Sequence, residues 1–108
     1  MIAMSTEVSL NRDLVLDALH DVIDPELGYN IVDLGLIYEV EVGTGIVEIT
    51  MTMTTPGCPA QDYIMSGVYE RCKSLPGVDD ARVHLTFLPA WSPRLMTPVA
   101  KAHFGIQE

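Results

Sequence analysis

The stretch IVEITMTMTTPGCPAQDYI, residues 46–64, decides the fold because its hydrophobic period changes halfway along. Up to position 54, apolar side chains alternate with polar ones, which predicts a strand with one buried face. From Pro59, apolar residues recur every three or four positions, which predicts a helix. The apolar positions are Val47, Ile49, Met51 and Met53 in the strand and Ile64, Val68, Cys72 and Leu75 in the helix. The chain therefore passes from a strand into a helix through a turn that contains a cysteine.

The sequence on either side of this stretch predicts a further helix and two further strands. Ser9 is the predicted N-cap of a first helix, which ends near Asp24 because Pro25 disfavours helical geometry in the residue before it. Residues 36–42 alternate in the same way as the central strand and are joined to it by the turn GTG, so the two form a hairpin. Residues 81–88 alternate again and predict the third strand.

The C-terminal region carries two helix start signals, Ser92-Pro93 and Thr97-Pro98. In each pair a capping side chain precedes a proline at the first helical position. The two signals predict a helical turn followed by a short C-terminal helix that Gly105 closes.

The predicted element order is α-β-β-α-β-α, which indicates an α+β fold. We expect a small three-stranded mixed sheet with its helices packed on one face. Residues 9–105 are predicted to form a single domain, with a flexible N-terminus at residues 1–8 and a tail at residues 106–108. A domain of this length is large enough for one hydrophobic core.

The composition restricts the functions that this chain can have. Six Lys and Arg residues against fifteen Asp and Glu residues give a formal net charge of -9, which opposes binding to nucleic acid or to an anionic membrane surface. No apolar run approaches the roughly 20 residues that a membrane-spanning helix needs. The N-terminal stretch MIAMSTEVSL lacks the basic start and the apolar segment of a secretory signal, so we expect a cytoplasmic protein. Its two cysteines are then expected to remain thiols.

The predicted topology brings three loops to one end of the sheet. The hairpin is antiparallel, and a helical crossover makes the second and third strands parallel. The loops that carry Asp33, Cys58 and Trp91 should therefore converge at the end of the sheet where α/β proteins tend to place their sites.

Cys58 is the strongest candidate for a chemically active residue. Pro59 suits the first turn of a helix, so Cys58 is predicted to be the N-cap or its neighbour, and Gly57 allows the sharp turn before it. The helix dipole and the free N–H groups should then lower the pKa of the thiol, and Thr54 and Thr55 add short hydroxyl groups beside it. The alternative is that Cys58 is only a small capping residue.

The other polar candidates have simpler interpretations. Cys72 lies on the apolar stripe of its helix and is expected to pack in the core. Asp24 before a proline suits a turn former, whereas Asp33 suits a capping role and a functional role equally. The histidines at 20, 84 and 103 are expected on the surface, and the sequence contains no C-x-x-C, H-E-x-x-H or P-loop motif.

Four blocks of the chain, taken in order, resemble a known family. They are VIDPELGYNIVDLGLIYEV, TMTTPGCPAQDYI, LPGVDDARVHLTF and PAWSPRLMTPVAKAHFG. The chain is similar to the metal-sulfur cluster biosynthetic family, which includes the SufT-like and PaaD-like bacterial proteins and the eukaryotic cytosolic iron-sulfur targeting factor. The resemblance extends from about Asn11 to Gly105, and the pairing of D-P-E-L-G with T-x-P-G-C-P makes it specific.

The resemblance implies a role in the maturation of iron-sulfur proteins. It assigns the functional thiol to Cys58, places Asp33 near it, and implies the same α+β fold. PaaD-like members carry a cysteine-rich C-terminal extension, and this sequence ends at Glu108 without one, which favours the short SufT-like branch.

Three functional hypotheses follow from the sequence. The first is a non-enzymatic accessory factor that carries an iron-sulfur cluster, or helps deliver one to client apoproteins, through Cys58. A cluster normally takes four protein ligands, so one thiol would have to share it with a second subunit in a homodimer, with another assembly protein, or with a small thiol. The second is an adaptor that binds no metal and docks partners through Asp33, Cys58 and Trp91. The third is a cysteine-dependent enzyme, although His84 is poorly placed to serve as its base.

Overall fold

A computed structural model of the chain describes residues 10–106. The predicted flexible segment at residues 1–8, the proposed cap Ser9 and the last two residues of the tail lie outside the described residues. The elements, in chain order, are α1 (Arg12–Leu19), β1 (Ile23–Asp24), β2 (Tyr29–Asn30), β3 (Ile37–Val42), β4 (Ile46–Met51), α2 (Gln61–Lys73), β5 (Asp80–Leu85), a 3-10 turn (Pro93–Leu95) and α3 (Pro98–Phe104).

The main sheet has the predicted three strands in the order β3-β4-β5. The β3–β4 pair is antiparallel and the β4–β5 pair is parallel, with Val47 opposite Val42 on one side and Ala81 on the other. The predicted mixed sheet, and with it the α+β fold class, is confirmed. Helix α2 is the crossover between the two parallel strands.

A short two-stranded ribbon, β1 with β2, was not predicted. It forms because Asp24 is nearly fully buried and its Oδ1 accepts hydrogen bonds from the N–H groups of Glu26, at 2.8 Å, and Leu27, at 3.4 Å. These bonds reverse the chain at Pro25. The interpretation of Asp24 as a turn former is therefore confirmed.

Helix α1 differs from the sequence prediction at both ends. Its N-cap is Asn11, whose Oδ1 accepts the N–H of Leu14 at 2.8 Å, so the assignment of the cap to Ser9 was wrong. The helix ends at Leu19 instead of near Asp24, because the following residues turn into the ribbon. At each end, local hydrogen bonds compete with those of the helix and shift its boundary.

The core lies between the sheet and the helices. The predicted inward residues of the central strand and the stripe of α2 are all buried: Val47, Ile49, Met51, Met53, Ile64, Val68, Cys72 and Leu75. Thr52 was expected on the polar face and is instead fully buried; its N–H donates to Leu36 O at 2.9 Å, and its hydroxyl has no hydrogen-bond partner among the described residues.

The C-terminal elements match the prediction closely. Thr97 caps α3 by accepting the N–H of Ala100 at 3.4 Å, and Gly105 closes the helix with a φ of 71°. Ser92 precedes the 3-10 turn as expected but makes no capping hydrogen bond with its side chain. Within residues 10–106, no helix combines the length and apolar character needed to cross a membrane.

The backbone contact between Gly35 and Leu95 generates a stability prediction. Gly35 has a φ of 82°, and a Cβ added there would overlap the backbone carbonyl of Leu95. Gly77 has a similar φ of 88°, but a Cβ there would meet nothing within 4 Å. Gly77→Ala should therefore lower the free energy of unfolding by about 1–2 kcal/mol, the cost of a left-handed backbone. Gly35→Ala should cost at least about 2 kcal/mol more, because of the overlap.

Urea unfolding of both variants and the wild type, followed by circular dichroism, measures this difference. Equal losses in the two variants would show that the contact with Leu95 does not constrain Gly35.

Candidate functional site

Cys58 lies in the loop between β4 and α2, but it is not the N-cap of the helix. The cap is Ala60, and the helix begins at Gln61, whose N–H donates to Cys58 O at 3.0 Å. Pro59 and Ala60 form a turn that precedes the helix, so the prediction that Pro59 occupies its first turn was wrong. The thiol therefore lies close to the helix start without capping it.

The thiol of Cys58 is buried and faces a carboxylate. The residue is 5% exposed, and its Sγ donates a hydrogen bond to Glu26 Oε1 at 3.4 Å. Glu26 itself is exposed and follows the turn that Asp24 stabilises. The ribbon thus delivers a carboxylate to the cysteine from a distant part of the sequence.

The environment raises the pKa of the Cys58 thiol, which corrects the prediction of a lowered value. Burial is the largest cause, because a thiolate loses its hydration in the protein interior. The hydrogen bond from the N–H of Ala60 lowers the pKa, as expected for a thiol near the start of a helix. The hydrogen bond to Glu26 and the negative charges of Glu26 and Asp24 raise the pKa further. At neutral pH the resting thiol is therefore protonated.

The residues before Cys58 form an accessible loop. Thr54 is half-buried, and Thr55 and Gly57 are exposed. Gly57 has a φ of 74°, the left-handed conformation that the sharp turn required. The structure places these residues beside Cys58 in the chain, and their functional roles remain predictions.

Asp33 belongs to a separate hydrogen-bond network. Its Oδ2 accepts from Asn30 Nδ2 at 2.9 Å, and its Oδ1 accepts from Thr97 Oγ1 at 3.1 Å and lies 3.7 Å from His20 Nε2. The main chain adds a second link, since the N–H of Thr97 donates to Asp33 O at 2.9 Å. Asp33 therefore attaches the start of α3 to the loop before β3, and its partners are distinct from those of Cys58.

Trp91 is half-buried and covers the core. Its Nε1 donates to Leu34 O at 2.7 Å, which joins the loop after β5 to the loop before β3. Two of the three loops predicted to converge, those of Asp33 and Trp91, thus meet at this end of the sheet, whereas the side chain that contacts Cys58 comes from the turn at Glu26. The Trp91 side chain is thus held in a structural position, and its role in binding partners stays a prediction.

The remaining candidates match their sequence interpretations. Cys72 is fully buried in the core, which raises its pKa to about 11. The three histidines are exposed: His20 accompanies Asp33, His84 lies 3.3 Å from Glu48, and the ring of His103 packs on Tyr29. Within residues 10–106, no three His, Cys, Asp or Glu side chains are grouped closely enough to hold a metal ion.

Glu26 is the site residue that the sequence did not connect to Cys58. It is 32 residues from Cys58 in the chain, so no local period connects the two. The signal that could have found it was its position in D-P-E-L-G, one of the two motifs that made the family resemblance specific.

A family model described as "Iron-sulfur cluster assembly protein" matches residues 12–85. The matched range contains Glu26 and Cys58 but not Trp91. It therefore covers both sides of the thiol–carboxylate contact.

Individual proteins resemble the chain over most of its length. A protein of Porphyromonas gingivalis named "Fe-S protein maturation auxiliary factor" is 40% identical over 94% of this chain and 98% of its own length. The Bacillus subtilis protein "Fe-S protein maturation auxiliary factor YitW" is 41% identical over 89% of this chain and 95% of its own. A crystal structure of a domain of unknown function, DUF59, from Bacillus anthracis superposes with a TM-score of 0.83 at 39% identity, over 88% of this chain and 92% of that one.

The contact between Cys58 and Glu26 generates a prediction about thiol reactivity. Glu26→Gln removes a negative charge that raises the pKa of Cys58, so the variant should have a lower thiol pKa. Alkylation by iodoacetamide near neutral pH should then be faster than in the wild type, and the midpoint of its pH profile should move down. Cys72 should remain unlabelled in the folded protein because it is fully buried.

Mass spectrometry of the labelled peptides measures both thiols at once. Glu39→Gln, which removes an equivalent charge from an exposed position on β3, is the matched control and should leave the profile unchanged. An unchanged profile in Glu26→Gln would contradict the role of this carboxylate.

Proposed function

The chain belongs to the iron-sulfur cluster assembly protein family, and on that premise we propose that it is an accessory factor that helps deliver clusters to client apoproteins through Cys58. Two relatives support this proposal, because the chain matches nearly their whole length and both are named Fe-S protein maturation auxiliary factors. The single observation that carries the proposal is the contact between the Cys58 thiol and the Glu26 carboxylate, because it gives the site a soft and a hard ligand for iron.

For such a factor the cluster is cargo that passes to another protein. The ligands of one chain suit a cluster that is shared with another molecule. Cys58 supplies one sulfur and Glu26 one carboxylate, while Cys72 is in the core. A cluster normally takes four protein ligands. The remaining ligands would therefore come from a second subunit, from a client apoprotein or another assembly protein, or from a small thiol.

The resting state of the thiol fits a temporary ligand better than a permanent one. Metal binding requires the thiolate, and burial together with Glu26 favours the protonated thiol. Glu26 is exposed, so a partner or an iron ion can engage its carboxylate and remove its hydrogen bond from the sulfur. The thiol would then become a ligand when cargo or partner is present.

The positions of the histidines support a non-catalytic role. A cysteine nucleophile normally has a base within hydrogen-bond reach. His84 is paired with Glu48 on the exposed face of the sheet, and His20 is beside Asp33. The polar side chain that contacts Cys58 is Glu26, which raises the pKa of the thiol instead of activating it.

Anaerobic reconstitution with iron and sulfide tests the proposal. The wild type should develop the visible absorption of a cluster, and its mass in solution should rise to that of a dimer, because one chain does not supply four ligands. Cys58→Ala should lose the chromophore and the association together. Cys72→Ala is the matched control, because it removes the other thiol and should still bind the cluster.

Iron and sulfide retained by Cys58→Ala at the wild-type ratio would contradict the proposal. A colourless monomer in all three proteins would favour an adaptor that binds no metal.

A further inference from the structure

Helix α2 has a second stripe of side chains that is not used by the core. It faces an open groove with a cavity volume of about 490 Å³. On α2 the groove is lined by Tyr63, Ser66, Gly67 and Glu70. These positions are spaced by three or four residues and therefore share one helical face.

The opposite wall of the groove is the segment between α1 and the ribbon, and it approaches α2 closely. Val22 forms part of this wall, and a Cβ added at Gly67 would lie 3.3 Å from its Cγ1. Arg71 closes one end, since its Nε is 3.0 Å from Asp21 Oδ2 and its Nη1 donates to Ser74 Oγ at 2.7 Å. The walls are thus held in place by packing and by an ion pair.

The other end of the groove is open and apolar. Tyr63 is 66% exposed and Ile23 is 42% exposed, and both line the groove. Ile23 precedes Glu26 by three residues, and Tyr63 follows Cys58 by five. The open end is therefore at the start of α2, which follows directly after the loop that carries Cys58.

The charges around this groove select one class of occupant. Glu70 lines it and Asp62 is exposed next to Tyr63, whereas the cation of Arg71 is already paired. A second copy of this chain would bring a net charge of -9 against another -9. Repulsion of this kind disfavours a second copy as the occupant of this groove and favours a basic partner.

We infer that the groove binds an amphipathic segment of a partner protein, with apolar side chains that contact Ile23 and Tyr63 and with Lys or Arg residues that face Glu70 and Asp62. Recognition of a helix by a groove commonly combines these two features. The inference rests on the proposed function, because it names the kind of surface by which a cluster donor or client would be held beside Cys58.

Fluorescence anisotropy with a synthetic peptide tests the inference. The probe is a labelled amphipathic peptide of about 15 residues, long enough for roughly four helical turns, with leucines on one face and lysines on the other. Two reference peptides replace the lysines by glutamates or the leucines by serines, and both should bind weakly. Tyr63→Ala and Glu70→Lys should each weaken binding of the probe by about tenfold.

Control substitutions away from the groove test whether the peptide binds this site or is only attracted by the negative charge of the whole protein. Leu88→Ala removes an apolar side chain that is 84% exposed, and Glu41→Lys makes the same charge change as Glu70→Lys at an exposed position of β3. Both should leave the affinity within about twofold. Equal losses in the groove variants and these controls would overturn the inference.

Two further measurements distinguish the remaining outcomes. Dimerisation of the wild type that Tyr63→Ala abolishes would assign the groove to a second copy and overturn the inference. Cys58→Ala should bind the probe as the wild type does. Groove-dependent probe binding without cluster formation by the wild type would support the docking surface and contradict the proposed function alone.

Discussion

The rest of the structure depends on the register of β4, which forms hydrogen bonds with a neighbour on each side. Strand β3 runs antiparallel to β4 and β5 runs parallel to it, so the start of β3 and the ends of β4 and β5 meet at one end of the sheet. A slip of one residue would move Val47, Ile49 and Met51 from the core to the polar face. The loop that carries Cys58 continues directly from this strand, so burial of the strand also determines the position of the thiol.

Much of the fold could be predicted because it depends on short-range periodicity. The alternation of residues 46–51 and the buried stripe of α2 require only that one face of each element be covered. Helix ends were less predictable, since Ser9 and Asn11 are both good capping residues and the chain uses Asn11. The β1–β2 ribbon has two residues in each strand and therefore carries no periodic signal.

The candidate site could be predicted only in part, because its electrostatics depend on tertiary structure. The sequence located Cys58 at a junction between a strand and a helix, and this local inference holds. The predicted direction of the thiol pKa shift was wrong. The prediction considered only the nearby helix start, whereas burial and Glu26 determine the shift. The sequence also left the role of Asp33 open between capping and function, and its hydrogen bond with Thr97, 64 residues away, carries no local signal.

Helix α2 connects the chemistry of the site to the surface beside it. Its apolar stripe through Ile64 and Val68 is buried in the core. The stripe that begins at Tyr63 stays open, since the segment between α1 and the ribbon flanks this face without covering it. The start of α2 is thus next to both the loop that carries Cys58 and the open end of the groove. Docking in the groove and chemistry at Cys58 therefore share this helix as a common support.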